Sequence, residues 1–175
     1  MTLLTGLMNR RGFENRVAAM SESDFPAVMG VIDIDHFKRI NDEYGHDAGD
    51  VALRYLGDYL RGSVKGRDLM CRWGGEEFVV IFTQLSFESG VSILDQMREE
   101  SSVRPLSHGG RAFSISFSAG VVVLKGKKDF LNALRLADER LYYAKQHGRN
   151  RVVSSMARQA DAQAPALAPH DGRIR

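Results

Sequence analysis

The sequence predicts a mixed α/β fold: one mainly antiparallel sheet with helices packed on it. Three observations carry that prediction. Apolar runs of strand length alternate along the chain with segments whose apolar residues recur at helical spacing. Two apolar runs, 69–73 and 77–82, flank Gly74-Gly75, which is a hairpin signal. The unbroken Val79-Val80-Ile81-Phe82 predicts a strand covered on both faces, and so a central one.

Each element has a local reason. Asn9 is a helix cap, and Phe13, Val17 and Met20 share one stripe of a helix over 10–21. PAVMGVIDI, residues 26–34, reads as a strand that ends in acids. HFKRINDEY suits a short helix and GHDAGD a glycine-rich turn, after which Val51, Leu53, Leu56 and Leu60 mark a helix over 51–64. Beyond the hairpin follow a helix over 87–99, a long strand over 111–124 and an amphipathic helix over 130–146 that Gly148 stops. RVVS is a last short strand. Residues 1–154 are predicted to be one folded domain. The Ala-, Pro- and Gln-rich residues 155–175 are predicted to be a disordered tail, and no internal repeat is present.

Composition narrows the function. The chain has 175 residues, 43% of them hydrophobic, which is enough for one domain with a real core. Its 24 Lys and Arg against 22 Asp and Glu argue against a nucleic-acid binder, so any bound anion must be met by local charge. Cys71 is the sole cysteine and lies in an apolar run, where it reads as a small core residue in a reducing compartment. No apolar run approaches the roughly 20 residues of a membrane span, and the N-terminus lacks the apolar segment of a signal peptide. A cytoplasmic domain is expected.

The acids carry the chemistry. Asp33 ends one buried-looking strand, and Glu76 and Glu77 open another. Carboxylates at such positions cost desolvation unless a cation or metal meets them. Gathered together, the three would suit magnesium, which takes hard oxygen ligands and bridges to phosphates. Lying in exposed turns, they would only pair with Arg72 or Arg10. In DIDHFKRIND, Asp35 is placed to cap the next helix, leaving the amides of His36, Phe37 and Lys38 as a phosphate cradle. Lys145 in the last helical turn and Arg149 beyond Gly148 would add charge there, or would simply complement a helix dipole.

Six stretches occur in order along nearly the whole chain before the tail: LTGLMNRRGF, DIDHFKRINDEYGHDAGD, RWGGEEF, SFSAG, ADERLYYAK and GRNRV. Together they resemble the signature blocks of the GGDEF family of diguanylate cyclases, in its GGEEF form. Glu76 stands where the family name has Asp and keeps the carboxylate.

The resemblance implies a fold related to the nucleotide-cyclase and polymerase palm, with a ferredoxin-like core. It also implies the joining of two GTP molecules into cyclic di-GMP with release of two pyrophosphates. Carried onto this sequence, Asp33, the Ile34 carbonyl, Glu76 and Glu77 would hold magnesium, or manganese in its place. The amides of His36, Phe37 and Lys38, with Lys145 and Arg149, would hold the triphosphate. Asn41 and Asp50 would read guanine, with His46 a further substrate contact. Glu76, or alternatively Glu77, would assist deprotonation of the attacking hydroxyl. A two-fold symmetric product made from one GTP per domain implies at least a transient homodimer.

The chain also departs from the family pattern. The family's inhibitory product site uses an Arg-x-x-Asp element, whose Arg position is Lys65 here, with Asp68 in place. Lysine lacks the planar fork that pairs with guanine, so that site is expected to be degenerate, or KGRD to be a plain surface loop. Thr2 stands where the family has Asp, and the chain begins almost at this block. It is therefore expected to be the catalytic part of a longer sensory or membrane protein. The alternatives are a catalytically silent GTP-binding regulatory module and an interaction domain that dimerises through its helices.

Overall fold

The computed structural model describes residues 1–155, so nearly all of the predicted tail lies outside the described residues. Strands β1 (Met8–Asn9), β2 (Ala27–Ile34), β3 (Leu69–Arg72), β4 (Glu77–Phe82), β7 (Phe117–Leu124) and β8 (Val152–Val153) form one sheet. Its order is β1-β3-β4-β2-β7-β8. The four inner strands pair antiparallel, and the two short outer strands pair parallel. A separate hairpin joins β5 (Leu106–His108) to β6 (Arg111–Phe113).

Helices α1 (Arg10–Ala18) and α5 (Phe130–Gln146) cover one face, where Phe13, Val17, Ala137 and Leu141 meet Met29, Val31, Val79 and Ile81. Helices α3 (His46–Ser63) and α4 (Phe87–Val103) cover the other, where Leu53, Leu56 and Leu94 meet Ile32, Phe78 and Val80. Short α2 (Phe37–Tyr44) links β2 to α3. Because side chains alternate across a strand, odd residues of β2 and β4 face α1 and α5 and even ones face α3 and α4. The central position predicted for residues 79–82 is observed, and all four are fully buried. The Asn9 cap is observed as well, its Oδ1 accepting from the Gly12 amide at 2.9 Å.

Three elements differ from expectation. The strand predicted over 111–124 breaks at Ser114–Ser116, because residues 111–113 leave the sheet to pair with β5. The GHDAGD turn shrinks to Gly45, whose φ of 90° makes the corner, and α3 is already helical from His46. Finally, Asp35 does not cap α2. The cap position is His36, in the left-handed region at φ 55° and without a side-chain cap bond, and the Asp35 carboxylate is turned elsewhere.

Helix α5 approaches β7 closely at Gly120. A Cβ there would overlap the Ala137 carbonyl oxygen and lie 2.6 Å from the Leu141 amide nitrogen, both rigid backbone. Gly120→Ala should lower stability by about 3 kcal/mol, since overpacking in a core cannot be relieved by a rotamer. Gly62→Ala, on exposed α3 with no atom within 4 Å, should instead raise it by about 0.5 kcal/mol. Denaturant midpoints test the pair, and equal midpoints would refute the close approach.

Candidate functional site

The site lies at one end of the sheet, where β2 finishes and β4 begins. Asp33 and Glu77 are paired across these strands, and the Ile34 amide donates to the Glu76 carbonyl at 3.3 Å. The turn before β4 is closed by Arg72, whose Nε and Nη2 donate to the Gly75 carbonyl at 3.0 and 2.7 Å. Its base is an aromatic cluster, Phe13, Trp73 and Phe130, with Arg10 stacked 4.4 Å over the Trp73 ring. Arg10 also pairs with Glu14. Both arginines are thus committed to holding the hairpin, and neither is bonded to Glu76 or Glu77.

Asp33, Ile34 and Glu76 line a cleft of about 170 Å³ together with residues 35–38, Lys145 and Arg149. Asp33 is 5% exposed. Burial pushes its carboxyl up to about 6, against the pull of Lys145 and with a further push from Glu76 and Glu77. The Lys145 ammonium stands 2.8 Å from Asp33 Oδ1. A cation therefore already occupies the acid side of the cleft. Two carboxylates and a backbone carbonyl are oxygen donors only, the set that suits a hard divalent ion, so these residues fit magnesium or manganese.

The expectation that three carboxylates gather needs adjustment. Among the described residues no three Asp, Glu, His or Cys side chains converge as a metal-binding group. Glu77 does not line the cleft: its Oε2 leans over Gly74, where an added Cβ would be 3.0 Å away. It faces the α5 side like Asp33, as alternation along β4 requires, and its charge adds to burial in raising the Asp138 carboxyl.

His36, Phe37 and Lys38 also line the cleft, with their backbone following the left-handed turn at His36. Lys145 reaches the cleft from the end of α5, and Arg149 from the turn after Gly148. Asn41, His46 and Asp50 lie outside this cleft, along α2 and the start of α3. The Asn41 side chain rests over Gly49, where an added Cβ would overlap Oδ1 and lie 3.0 Å from Cγ. This sets Asn41 beside the turn of α3 that carries Asp50.

Lys65 and Asp68 border a separate cavity of about 500 Å³. The Asp68 carboxylate accepts from the Thr83 amide at 2.7 Å, the Thr83 hydroxyl at 3.1 Å and the Lys65 amide at 2.8 Å. It closes its own loop. Arg67, which also borders this cavity, is held by Asp24 at 3.0 Å.

A site participant missed by sequence reasoning is Asp35. It lines the cleft and is bonded to serines of the SFSAG stretch and to Asn150 of the GRNRV stretch. Its signal was faint: it is an acid between two functional segments that also reads as an ordinary cap.

Comparison with known proteins places the chain in a family. The family model described as "Diguanylate cyclase, GGDEF domain" matches residues 3–151. The chain is 39% identical to diguanylate cyclase DgcP of Pseudomonas aeruginosa over 153 residues, covering 85% of this chain and 23% of the relative. It is also 39% identical to the response regulator PleD of Caulobacter vibrioides over 161 residues, covering 88% of this chain and 36% of the relative. The chain thus spans about a quarter to a third of the length of these relatives. The GGDEF domain of DgcB from Caulobacter crescentus, solved in complex with c-di-GMP, superposes with a TM-score of 0.78 at 32% identity, covering 87% of this chain and 91% of that one. The active GGEEF domain of a diguanylate cyclase from Vibrio cholerae gives 0.73 at 32% identity, covering 84% and 96%. The chain belongs to the GGDEF-domain diguanylate cyclase family.

Proposed function

We propose that this chain condenses two GTP molecules into cyclic di-GMP with release of two pyrophosphates, acting as a homodimer. The observation that carries this reading is one cleft lined both by the oxygen-bearing Asp33, Ile34 and Glu76 and by residues 36–38, Lys145 and Arg149, which suit phosphate. In a chain with a net charge of +2, this is the local cationic lining that a triphosphate requires.

Asp33, the Ile34 carbonyl and Glu76 would hold magnesium, or manganese in its place. When bound, the ion supplies charge neutralisation at the phosphates and acidity at the attacking hydroxyl. Lys145 is then released from Asp33 to pair with phosphate. Arg149 and the amides of residues 36–38 fix the triphosphate for in-line attack by a ribose 3′-hydroxyl, a reaction governed by positioning and electrostatics. Glu76, inside the cleft, is the carboxylate that accepts the hydroxyl proton. Glu77, on the neighbouring face, keeps the field negative.

Asp50 and Asn41 read the base. Guanine offers N1–H and N2–H₂ donors to a carboxylate, whereas adenine offers an acceptor at N1 and leaves the acid unpaired. Asp68 is engaged within its loop and Lys65 brings no planar fork, so product inhibition there is weak.

In the test, GTP with magnesium should yield cyclic di-GMP and pyrophosphate, and ATP should not substitute. Activity per chain should fall on dilution through the micromolar range, and Glu76→Ala should reduce turnover by at least about 100-fold. GTP binding without turnover would indicate a silent regulatory module, and constant activity on dilution would exclude the homodimer.

Asp33 gives a pH signature in the metal-free protein. Its carboxyl titrates at about 6 in the fold against an ordinary 3.8, so the native state holds the proton more tightly than the unfolded chain. The stability it contributes is complete below 3.8 and is lost as pH rises to about 6. The midpoint of Asp33→Asn should gain on wild type across that window, by on the order of 3 kcal/mol at most, and stay level above it. A difference that is constant with pH would contradict this assignment.

Gly49→Ala should weaken GTP binding about 10-fold by displacing Asn41. Inorganic tripolyphosphate binding should stay unchanged, and thermal stability should fall only slightly, because the atoms that must shift, Asn41 Oδ1 and the Phe37 ring edge 3.1 Å away, are side-chain ends. Unaltered GTP affinity, read by calorimetry, would remove Asn41 from the base site.

A further inference from the structure

The cleft has two cationic or amide-bearing arms that come from opposite ends of the chain. One is the turn at residues 36–38, which leaves β2 through the left-handed His36. The other is the turn after α5. There Gly148, Arg149 and Asn150 have φ of 104°, 60° and 44°, so two residues with side chains sit consecutively in a region that such residues rarely adopt. Such a turn persists only where its surroundings hold it. The Arg149 amide is fixed to the Ala144 carbonyl at 3.0 Å, and β8 beyond it pairs with β7. Between these anchors the Asn150 amide donates to Asp35 Oδ2 at 2.9 Å.

Asp35 is 3% exposed and its carboxylate accepts three bonds. Ser118 Oγ donates to Oδ1 at 2.7 Å, and Ser116 Oγ donates to Oδ2 at 2.9 Å. Its own amide donates to the Ser116 carbonyl at 2.9 Å, which fixes the backbone where the 36–38 turn departs. We propose that Asp35 is a positioning residue that couples the two arms, holding Arg149 at a set distance from the 36–38 amides so that both engage one polyphosphate. The proposal rests on the reading of this cleft as a triphosphate site.

The chemistry allows a selective test. In Asp35→Asn the amide oxygen still accepts from the Asn150 N–H and the Ser116 hydroxyl, and the Ser118 hydroxyl can rotate to accept from the new NH2 group. In Asp35→Ala the Asn150 N–H loses this acceptor. Asp35→Ala therefore releases the Arg149 turn, and Asp35→Asn keeps it. Both substitutions remove a negative charge beside a polyanion site, which by Coulomb attraction alone would tighten binding. Loss of positioning and loss of charge thus predict opposite signs.

Calorimetric binding of inorganic tripolyphosphate, with magnesium, should be no weaker for Asp35→Asn than for wild type and about 10-fold weaker for Asp35→Ala. Combined with Arg149→Ala, Asp35→Ala should add less than about twofold, because both substitutions remove one interaction. Ser118→Ala should lower thermal stability and leave the affinity unaltered. In wild type the Asn150 amide should exchange as slowly as the amides of β2, a measurement that needs no variant to fold. Affinity of Asp35→Ala equal to or above wild type, additivity with Arg149→Ala, or an Asn150 amide exchanging at loop rates would each overturn the coupling and leave the cyclase reading untouched. The expected binding pattern without GTP turnover would sustain the coupling and overturn the cyclase reading. Absence of tripolyphosphate binding by wild type would overturn both.

Discussion

Strand β2 is buried along its full length and runs into two acids, Asp33 and Asp35, that are themselves buried. A carboxylate in that position costs several kcal/mol unless cations or donors surround it. The fold supplies two different answers. Asp33 receives an ammonium from α5, and Asp35 receives two hydroxyls and a backbone amide. The first is exchangeable, because a lysine on a flexible stem can leave for another anion when a different cation arrives. The second is not, because its donors belong to β7 and to a tight turn. A replaceable partner on one acid and fixed partners on its neighbour make the same strand end both a binding place and a frame.

Delivering Lys145 to Asp33 requires α5 to lie close to the sheet. Gly120 permits that approach, and an even-numbered residue of β7 faces α5 just as odd-numbered Asp33 of antiparallel β2 does, since Asp33 pairs with Ser118. Register thus decides which helix can answer which acid. On β4 the same alternation directs Glu77 toward the α5 side, while Glu76, before the strand begins, is free to turn into the cleft. Adjacent glutamates consequently have different surroundings, and this underlies the different roles assigned to them in the proposed reaction.

Much of this was legible in the sequence where the signal was local. The buried run at residues 79–82, the Gly-Gly hairpin, the Asn9 cap and α5 were all read from neighbours within a few positions. The failures have long-range causes. FSISFS alternates as a strand does, so nothing in it announces that residues 111–113 pair instead with β5. Asp35 has the chemistry of a cap, and its real partners lie 81, 83 and 115 residues away. Asn41, His46 and Asp50 stand outside the cleft, on α2 and on the α3 that begins at His46 after the corner at Gly45. Pattern reading found the residues, and tertiary contact determined what each one touches.

The proposed dimer follows from the shape of the site as well as from the product. The cleft brings together one set of the residues proposed to hold phosphate, and those proposed to read the base are set apart from it along α2 and α3. On the proposed reading, a nucleotide laid across these two places would have its triphosphate against the sheet end. Its 3′-hydroxyl then has no second α-phosphate within its own chain to attack. A second copy related by two-fold symmetry presents one, and it does so for both hydroxyls at once. Opposed in this way, two domains need no further catalytic group from each other. Each need only hold its own nucleotide rigidly, and that is where the proposed coupling through the Asn150–Asp35 bond would bear on the reaction, alongside the acids that touch the substrate.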